Sequence, residues 1–472
     1  ETSYLDFLLS SESLTDLISN YYLVEEIASY DAELLDKIEK GEKIMSKRML
    51  VEVHVGKRYG ISRLNCDGAG QVKDVIIDNE RYNRISSQSK KKVWRENLEK
   101  RLERLNGDSM EHVYRTRAMK DIFKKEFLKK ETDLYTENAD AMAEYIVKSI
   151  LSCALETKNG FDVTNQVLIV TKYDVEDIVE VFCDVIKTPE DWEQAKKEAA
   201  EKEKEKENDK KKGSKAKNSA KNSTSQRIIL ALKAKLPLRK YGVECSLFGR
   251  MATSGVMETV ESAMCVNHSY SLGKATLDSD YYIVVDNYLS AMASETESGQ
   301  SGAGYLDEKE FSNHVYYEYA SIDVGKFYDN LTKGVDMSDE KNVQRIKTVI
   351  IETVKCVIND IATSAPSGGQ NSFASRPDPV GVYITIKEDG EGRTADTYCI
   401  KEMVKKGSAA AKTEADKFLN AMNEFTSGDF ADDSDYLARI YTGESPEMLN
   451  GAEHMSWKEA VKKVGDIIDE KF

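Results

Sequence analysis

The chain has 472 residues and a formal net charge of −16 at pH 7, with 32% charged and 40% hydrophobic residues. That length holds two or three packed units, so core size does not limit stability, and the overall acidity excludes binding of nucleic acid through bulk charge. Seven cysteines (Cys66, Cys153, Cys183, Cys245, Cys265, Cys356, Cys399) show no C-x-x-C and no matched histidine spacing. They read as reduced cytosolic thiols, and no metal or cofactor is expected.

Residues 1–44 read as an acidic helical N-terminal extension, with Leu14, Leu17, Ile18 and Tyr21 at helical spacing. The segment is a true extension or an added piece, since Met45-Ser-Lys-Arg reads as a natural start. Its only cations are Lys37, Lys40 and Lys43, whereas Lys47 to Arg104 is basic. A local cationic surface on an acidic protein can still hold a phosphate backbone. No apolar run approaches the roughly 18 residues of a membrane helix, and no signal-peptide pattern opens the chain. A soluble cytoplasmic protein with no membrane partner is expected.

Met49 to Val55 alternates and is β-branched, which predicts a strand with Val51, Val53 and Val55 on one face and His54 on the other. Gly56 to Asn83 reads as a long loop punctuated by Gly60, Gly68 and Gly70 and carrying Lys57, Arg58, Arg63 and Lys73. Loops of that length are usually functional or disordered.

Tyr82 to Arg95, YNRISSQSKKKVWR, joins a tight polar turn to a basic first helical turn. Ser86 or Ser87 is a good N-cap for a helix running to about Leu105. Gln88, Lys91, Arg95, Leu98 and Leu102 fall on one stripe, polar and cationic at the start and apolar at the end. Its N-terminal half should therefore project toward an anion while its C-terminal half sits on a core, with Lys90 and Lys92 widening the charge. A merely solvated first turn is the plainer alternative.

Residues 107–192 read as a mainly helical insertion, with a short strand at Gln166 to Thr171. Residues 193–226 read as a flexible charged linker. The Glu/Lys alternation of Glu201 to Glu207 puts like charges four apart, and Asn208 to Ser225 has almost nothing apolar to bury. Residues 227–390 then supply a short helix at Ile228 to Leu236, strands at Ser262 to Tyr270 and Val315 to Asp323, and a helix at Asp339 to Thr363. They close with a strand at Val380 to Lys387. Between the middle strands, residues 272–313 form an arm with an aromatic patch at Tyr281 and Tyr282. Such an arm suits wedging between stacked bases or clasping a neighbouring subunit, and the alternative is a hairpin that buries its tyrosines on its own domain. Residues 391–472 read as helical with an acidic loop near Asp429 to Asp435.

These elements make a β-α-β-β-α-β order, which predicts an α+β fold with a ferredoxin-like or RNA-recognition-motif palm, a helical finger insertion and an extended thumb arm. The aromatic consensus of a standard RNA-recognition motif is missing, so binding is expected over the loop and the helix N-terminus.

Three blocks resemble the CasC-type backbone subunit of the type I-E CRISPR Cascade surveillance complex. They are RISSQSKKK, the run from GRMATSG through SAMCVNHSYS to EFSNHVYYEYASIDV, and GGQNSFASR. LNCDGAGQVKD is similar to the family's L-N-R-D-x-x-x-x-x-K-D, with Cys66 in place of an arginine and Arg63 close enough to substitute. The resemblance implies a non-catalytic subunit that oligomerises head to tail along crRNA with other Cascade subunits and supports guide pairing with a target DNA strand. It implies RNA contacts at Lys73, Arg84, Ser86, Gln88, Lys91, Arg95, Arg250 and Met251, further contacts at Gln370, Asn371 and Phe373, and a thumb wedge at Tyr282. The rival class is an enzyme. Type III backbone subunits cut target RNA with an aspartate in the loop after the first strand, and Asp67 occupies a comparable loop without an evident paired carboxylate. A generic RNA-binding scaffold is the third reading.

Overall fold

The computed structural model describes residues 48–106, 113–212, 223–236, 240–252, 254–276, 278–285, 303–388, 390–407, 411–428, 436–444, 449 and 451–472. The chain divides into two units, Glu1–Lys47 and Arg48–Phe472. The expected N-terminal helices and the acidic loop near Asp429 to Asp435 lie outside the described residues. The second unit is α+β, built on one mixed sheet. Among the described residues no helix is long and apolar enough to cross a membrane.

The first strand, β1 (Met49–Ser62), alternates as expected through Val55 but does not stop there. It continues because Gly56 and Lys57, which looked like loop chemistry, have strand-compatible roles. A Cβ on Gly56 would lie 2.5 Å from the Phe418 ring, so only glycine allows that approach. Lys57 is buried, and its Nζ donates to the carbonyls of Ile361 and Ser364, both at 2.9 Å. The expected long loop is also cut short from its far end. Strands β2 (Asp74–Ile77) and β3 (Glu80–Ile85) form a tight hairpin. Its turn is Asp78-Asn79, with φ of 46° and 65°, the left-handed pair that Asp and Asn tolerate and that matches strand twist.

Helix α1 (Ser87–Asn106) leads into the insertion. The insertion comprises β4 (Val113–Thr116), α2 (Met119–Phe127), α3 (Asp133–Tyr145) with a π-helical turn, β5 (Leu155–Lys158), β6 (Phe161–Thr164), β7 (Leu168–Thr171) and α4 (Lys172–Val185). It is completed by α5 (Pro189–Lys212) and α6 (Thr224–Lys235), and has its own core around Phe123, Phe127, Phe182 and Trp192. The insertion is thus not wholly helical, since it carries two small sheets.

The expected linker over residues 193–226 is corrected as well. α5 is nucleated by Asp191 and Thr188, which exchange hydrogen bonds at its start, and by the buried Trp192 and Ala195. Helix propagation from a packed, capped nucleus is cheap, so it runs on through the Glu/Lys alternation. At the far side Glu198 accepts from the Thr224 N–H, and Lys202 donates to Ser223 and Ser225. Residues 213–222 lie outside the described residues.

The chain returns through α7 (Gly242–Phe248) to β8 (Met264–Val266), β9 (Ser269–Lys274), β10 (Asp278–Val285) and β11 (Ala303–Asp323). It goes on through α8 (Val324–Thr332), α9 (Glu340–Thr363), the short α10 (Gln370–Phe373) and β12 (Pro379–Glu388). The main path of the sheet needs two further strands. After α11 (Asp396–Val404) and α12 (Glu414–Ser427) come β13 (Tyr436–Gly443) and β14 (Glu453–His454), then α13 (Trp457–Lys471). The C-terminal region is therefore not all helical. YLARIYTG alternates and adds β13 antiparallel to β12.

The strand order is β14-β13-β12-β1-β11-β9-β3-β2, with β8 and β10 also on β11. β1 is antiparallel to both β11 and β12. Helices α1 and α9 pack together, through the Arg101–Asp360 ion pair at 2.9 Å and the Trp94 Nε1 bond to Ser364 at 3.0 Å. α12 covers the other face, placing Phe418, Met422 and Phe425 on Tyr317, Tyr319 and Tyr383. His54 is buried among those rings, within hydrogen-bond distance of the Tyr317 hydroxyl at 3.0 Å, and burial pushes its pKa down to about 4.

Candidate nucleic-acid interface

α12 covers the tyrosines on one face of the sheet, and cations gather at the edge where β3 passes into α1. Ser86 is the cap. Its hydroxyl accepts from the Ser89 N–H at 3.3 Å, and its own N–H donates to Asn65 Oδ1 at 3.0 Å. The loop before β2 is thereby pinned to the helix start. Lys73 N donates to the Asn65 carbonyl at 3.0 Å, and Arg84 N to the Lys73 carbonyl at 2.8 Å. Three expected contact residues, Lys73, Arg84 and Ser86, are thus brought together through backbone bonds.

Along α1, Gln88 is exposed, whereas Lys91 and Arg95, expected to project outward with it, are half-buried. Lys90 differs. The buried column is Lys90, Trp94, Leu98, so Lys90 points inward, donating to Asn267 Oδ1 at 3.3 Å and Ser269 Oγ at 2.5 Å. Burial pushes its pKa down to about 8. It ties the helix to the β8–β9 turn and does not widen the surface charge. The Leu102 side chain lies outside the described residues.

Among the described residues Lys73, Arg84 and Lys91 make no ion pair, whereas Arg95 lies 3.6 Å from Glu244, which Arg115 also holds at 2.7 Å. Two guanidiniums sharing one carboxylate leave a net positive patch at the base of the insertion. Arg115 was not foreseen, because its partner is 129 residues away.

Beside the cap lies an open cleft of about 420 Å³ lined by Arg63, Asn65, Cys66, Ser89, Lys309 and Phe373. Cys66 and Arg63 both line it, and the Arg63 guanidinium donates to the Gly70 carbonyl of the same loop. Phe373 packs against Phe311 at 6.3 Å between centroids. Gln370 is turned inward, its amide donating to the carbonyls of Pro366 and Ser375, while Asn371 is exposed. The arm is a β-hairpin of β10 and the first part of β11. Tyr281 and Ile283 are 67% and 57% exposed on one of its faces. Tyr282, on the other, accepts Lys309 over its ring at 4.1 Å and donates to Asp307 at 3.1 Å.

Arg250 is placed against expectation. Its side chain is 0% exposed and ion-paired with Asp174, itself 0% exposed. Asp174 in turn caps α4 in a reciprocal box with Thr171, and Arg250 Nε reaches the Glu258 carbonyl at 3.2 Å. The guanidinium is thus enclosed within its own fold, where it fixes the loop from which Met251 projects, 71% exposed. Asp67 is likewise occupied: its Oδ1 accepts from the Ala69 and Gln71 N–H groups, both at 2.9 Å.

Residues 51–469 match the family described as CT1975-like protein. The chain belongs to the CT1975-like (Cas) family. Among solved structures this family member is similar to a chain of a CRISPR RNA-guided surveillance complex, pre-nicking, at 20% identity and TM-score 0.61, covering 89% of this chain and 100% of that one. A chain of a second CRISPR RNA-guided surveillance complex matches at 17% identity and TM-score 0.55, covering 89% and 99%. Those likenesses concern the fold. Residues 1–48 separately match the coiled-coil domain of peptidoglycan hydrolase PcsB. No curated protein matches the chain.

Proposed function

We propose that this CT1975-like chain is a non-catalytic, RNA-binding backbone subunit of a cytoplasmic CRISPR Cascade complex, of the CasC type I-E kind, that assembles in copies along crRNA and supports guide pairing with a target DNA strand. The observation that carries the reading is the placing of Lys73, Arg84 and Lys91, which make no ion pair among the described residues, at the capped start of α1 in a member of this family. Helix N-terminus and cations act together on a phosphate. The order β12-β1-β11-β9 with two packed crossover helices is what a ferredoxin-like palm requires, and the hairpin arm fits a thumb. The nuclease alternative through Asp67 is less favoured, because its Oδ1 holds its own turn and, among the described residues, it stands in no group of three or more potential metal ligands.

The test is RNA content. Purified with its neighbouring gene products, the protein should carry a discrete RNA protected at regular intervals. Lys91→Glu with Arg95→Glu should lose that RNA with the fold intact; unchanged RNA content in the double variant would refute the assignment of this edge. Because Arg95 shares Glu244 with Arg115 while Lys91 makes no ion pair among the described residues, Lys91→Glu alone should account for the larger part of the loss.

A further inference from the structure

His268 stands in the turn between β8 and β9, with its ring exposed beside the capped start of α1. Its Nδ1 lies 3.0 Å from Arg84 Nη1. A guanidinium can only donate, so Nδ1 is the acceptor and the ring is neutral, its hydrogen on Nε2. The charged groups acting on it come from three elements and are all cations: Arg84 on β3, Lys90 on α1 and Lys73 in the loop before β2. Partial burial first, then those three charges, hold its pKa below the usual histidine value. An imidazole ringed by cations stays neutral only while no anion is present. A phosphate drawing Arg84 and Lys73 onto its oxygens would free Nδ1 and favour the imidazolium, which then donates from both nitrogens.

We propose that His268 is a further phosphate contact of this surface, one that takes up a solvent proton at Nδ1 as a phosphodiester settles among Lys73, Arg84 and the ring. The inference rests on the RNA-binding reading above. Its sign is fixed by linkage: the pKa is higher in the complex than in the free protein. The extra affinity is therefore complete below the free-protein pKa and lost as pH rises through that of the complex.

The experiment measures binding of a uridine-only RNA oligonucleotide to the full chain by anisotropy with a pH-insensitive dye, since uracil itself does not titrate in this range. The wild-type Kd should weaken about fivefold between about pH 5.5 and about pH 7. His268→Gln should be flat over that interval. His268→Lys, permanently charged, should also be flat and at least as tight as the wild type at its acid end. Any contribution from Lys90, which titrates near pH 8, persists in both variants and lies above the interval. An identical slope in His268→Gln, or no slope in a wild type that binds, overturns the proposal. Failure of the wild type to bind at any pH overturns the RNA-binding reading instead.

Discussion

Arg84 and Arg250 belong to the same protein and to motifs that both resemble RNA contacts, yet they sit in opposite electrostatic surroundings. Arg84 lies at a strand end beside other cations, with a neutral imidazole and a backbone carbonyl for company. Arg250 is sealed against a buried carboxylate that caps a helix of the insertion. The first has charge to spare for a ligand. The second has spent it on holding the insertion to the loop that presents Met251. A cation in a motif is thus a binding residue only where its own fold leaves it uncompensated, and a structural residue where it does not.

The largest expected effect tests that division. Arg250→Met removes the buried cation from Asp174, which keeps only its bonds within the fold, and should cost about 3 to 5 kcal/mol in chemical denaturation. The salt dependence of RNA binding by the folded fraction should keep its wild-type slope, because no phosphate contact has been removed. Each phosphate cation contributes about 0.7 to that slope on a single strand. A normal stability with a slope reduced by that amount would move Arg250 to the binding surface and erase the contrast.

What the sequence made legible follows the same line. Periodicity found the strand at Val315 to Asp323, α9 and β12, because alternation and helical spacing report which faces are buried, whereas the expected strand at Ser262 to Tyr270 is broken into β8 and β9 at Asn267-His268. It ended β1 early and missed the β2–β3 hairpin because Gly56, Lys57 and the Asp78-Asn79 turn look like loop chemistry. Their strand roles depend on Phe418 and on the end of α9, hundreds of residues away. The Asp-Asn pair between alternating stretches was a usable signal. Within the site, the cap and the Gln88, Lys91, Arg95 stripe were legible from local spacing. The inward turn of Lys90 and the pairing of Arg250 were not, since Ser269 and Asp174 are contacts of tertiary packing.

A second, smaller effect concerns the sheet face that α12 covers. His54 is held neutral by burial, to a pKa of about 4, so the unfolded chain binds a proton near pH 6.5 that the folded chain refuses. Stability from this group is present above about pH 6.5 and lost as pH falls toward 4, by up to about 3 kcal/mol. Glu52 beside it, whose pKa is lowered, adds acid sensitivity at the lower end of the same range. His54→Gln should flatten the upper part of the acid limb in pH-dependent urea melts. An unchanged limb would mean that the α12 cover over the tyrosines opens freely, and the sheet face would return as a candidate RNA surface.

The smallest effect separates cap from contact within the basic edge itself. Ser86→Ala removes the hydroxyl that accepts from Ser89 N and should cost about 1 kcal/mol in stability. Ser86→Asp should restore the cap, since a carboxylate accepts the same bond and suits the positive helix end, but it places a negative charge among Lys73, Arg84 and Lys91. Stability and RNA affinity should therefore part company: alanine lowers the first with little change in the second, and aspartate recovers the first while weakening the second. If aspartate bound RNA as tightly as serine, the phosphate path would have to run clear of the helix N-terminus, and Arg84 would be left as uncompensated by ligand as it is by protein.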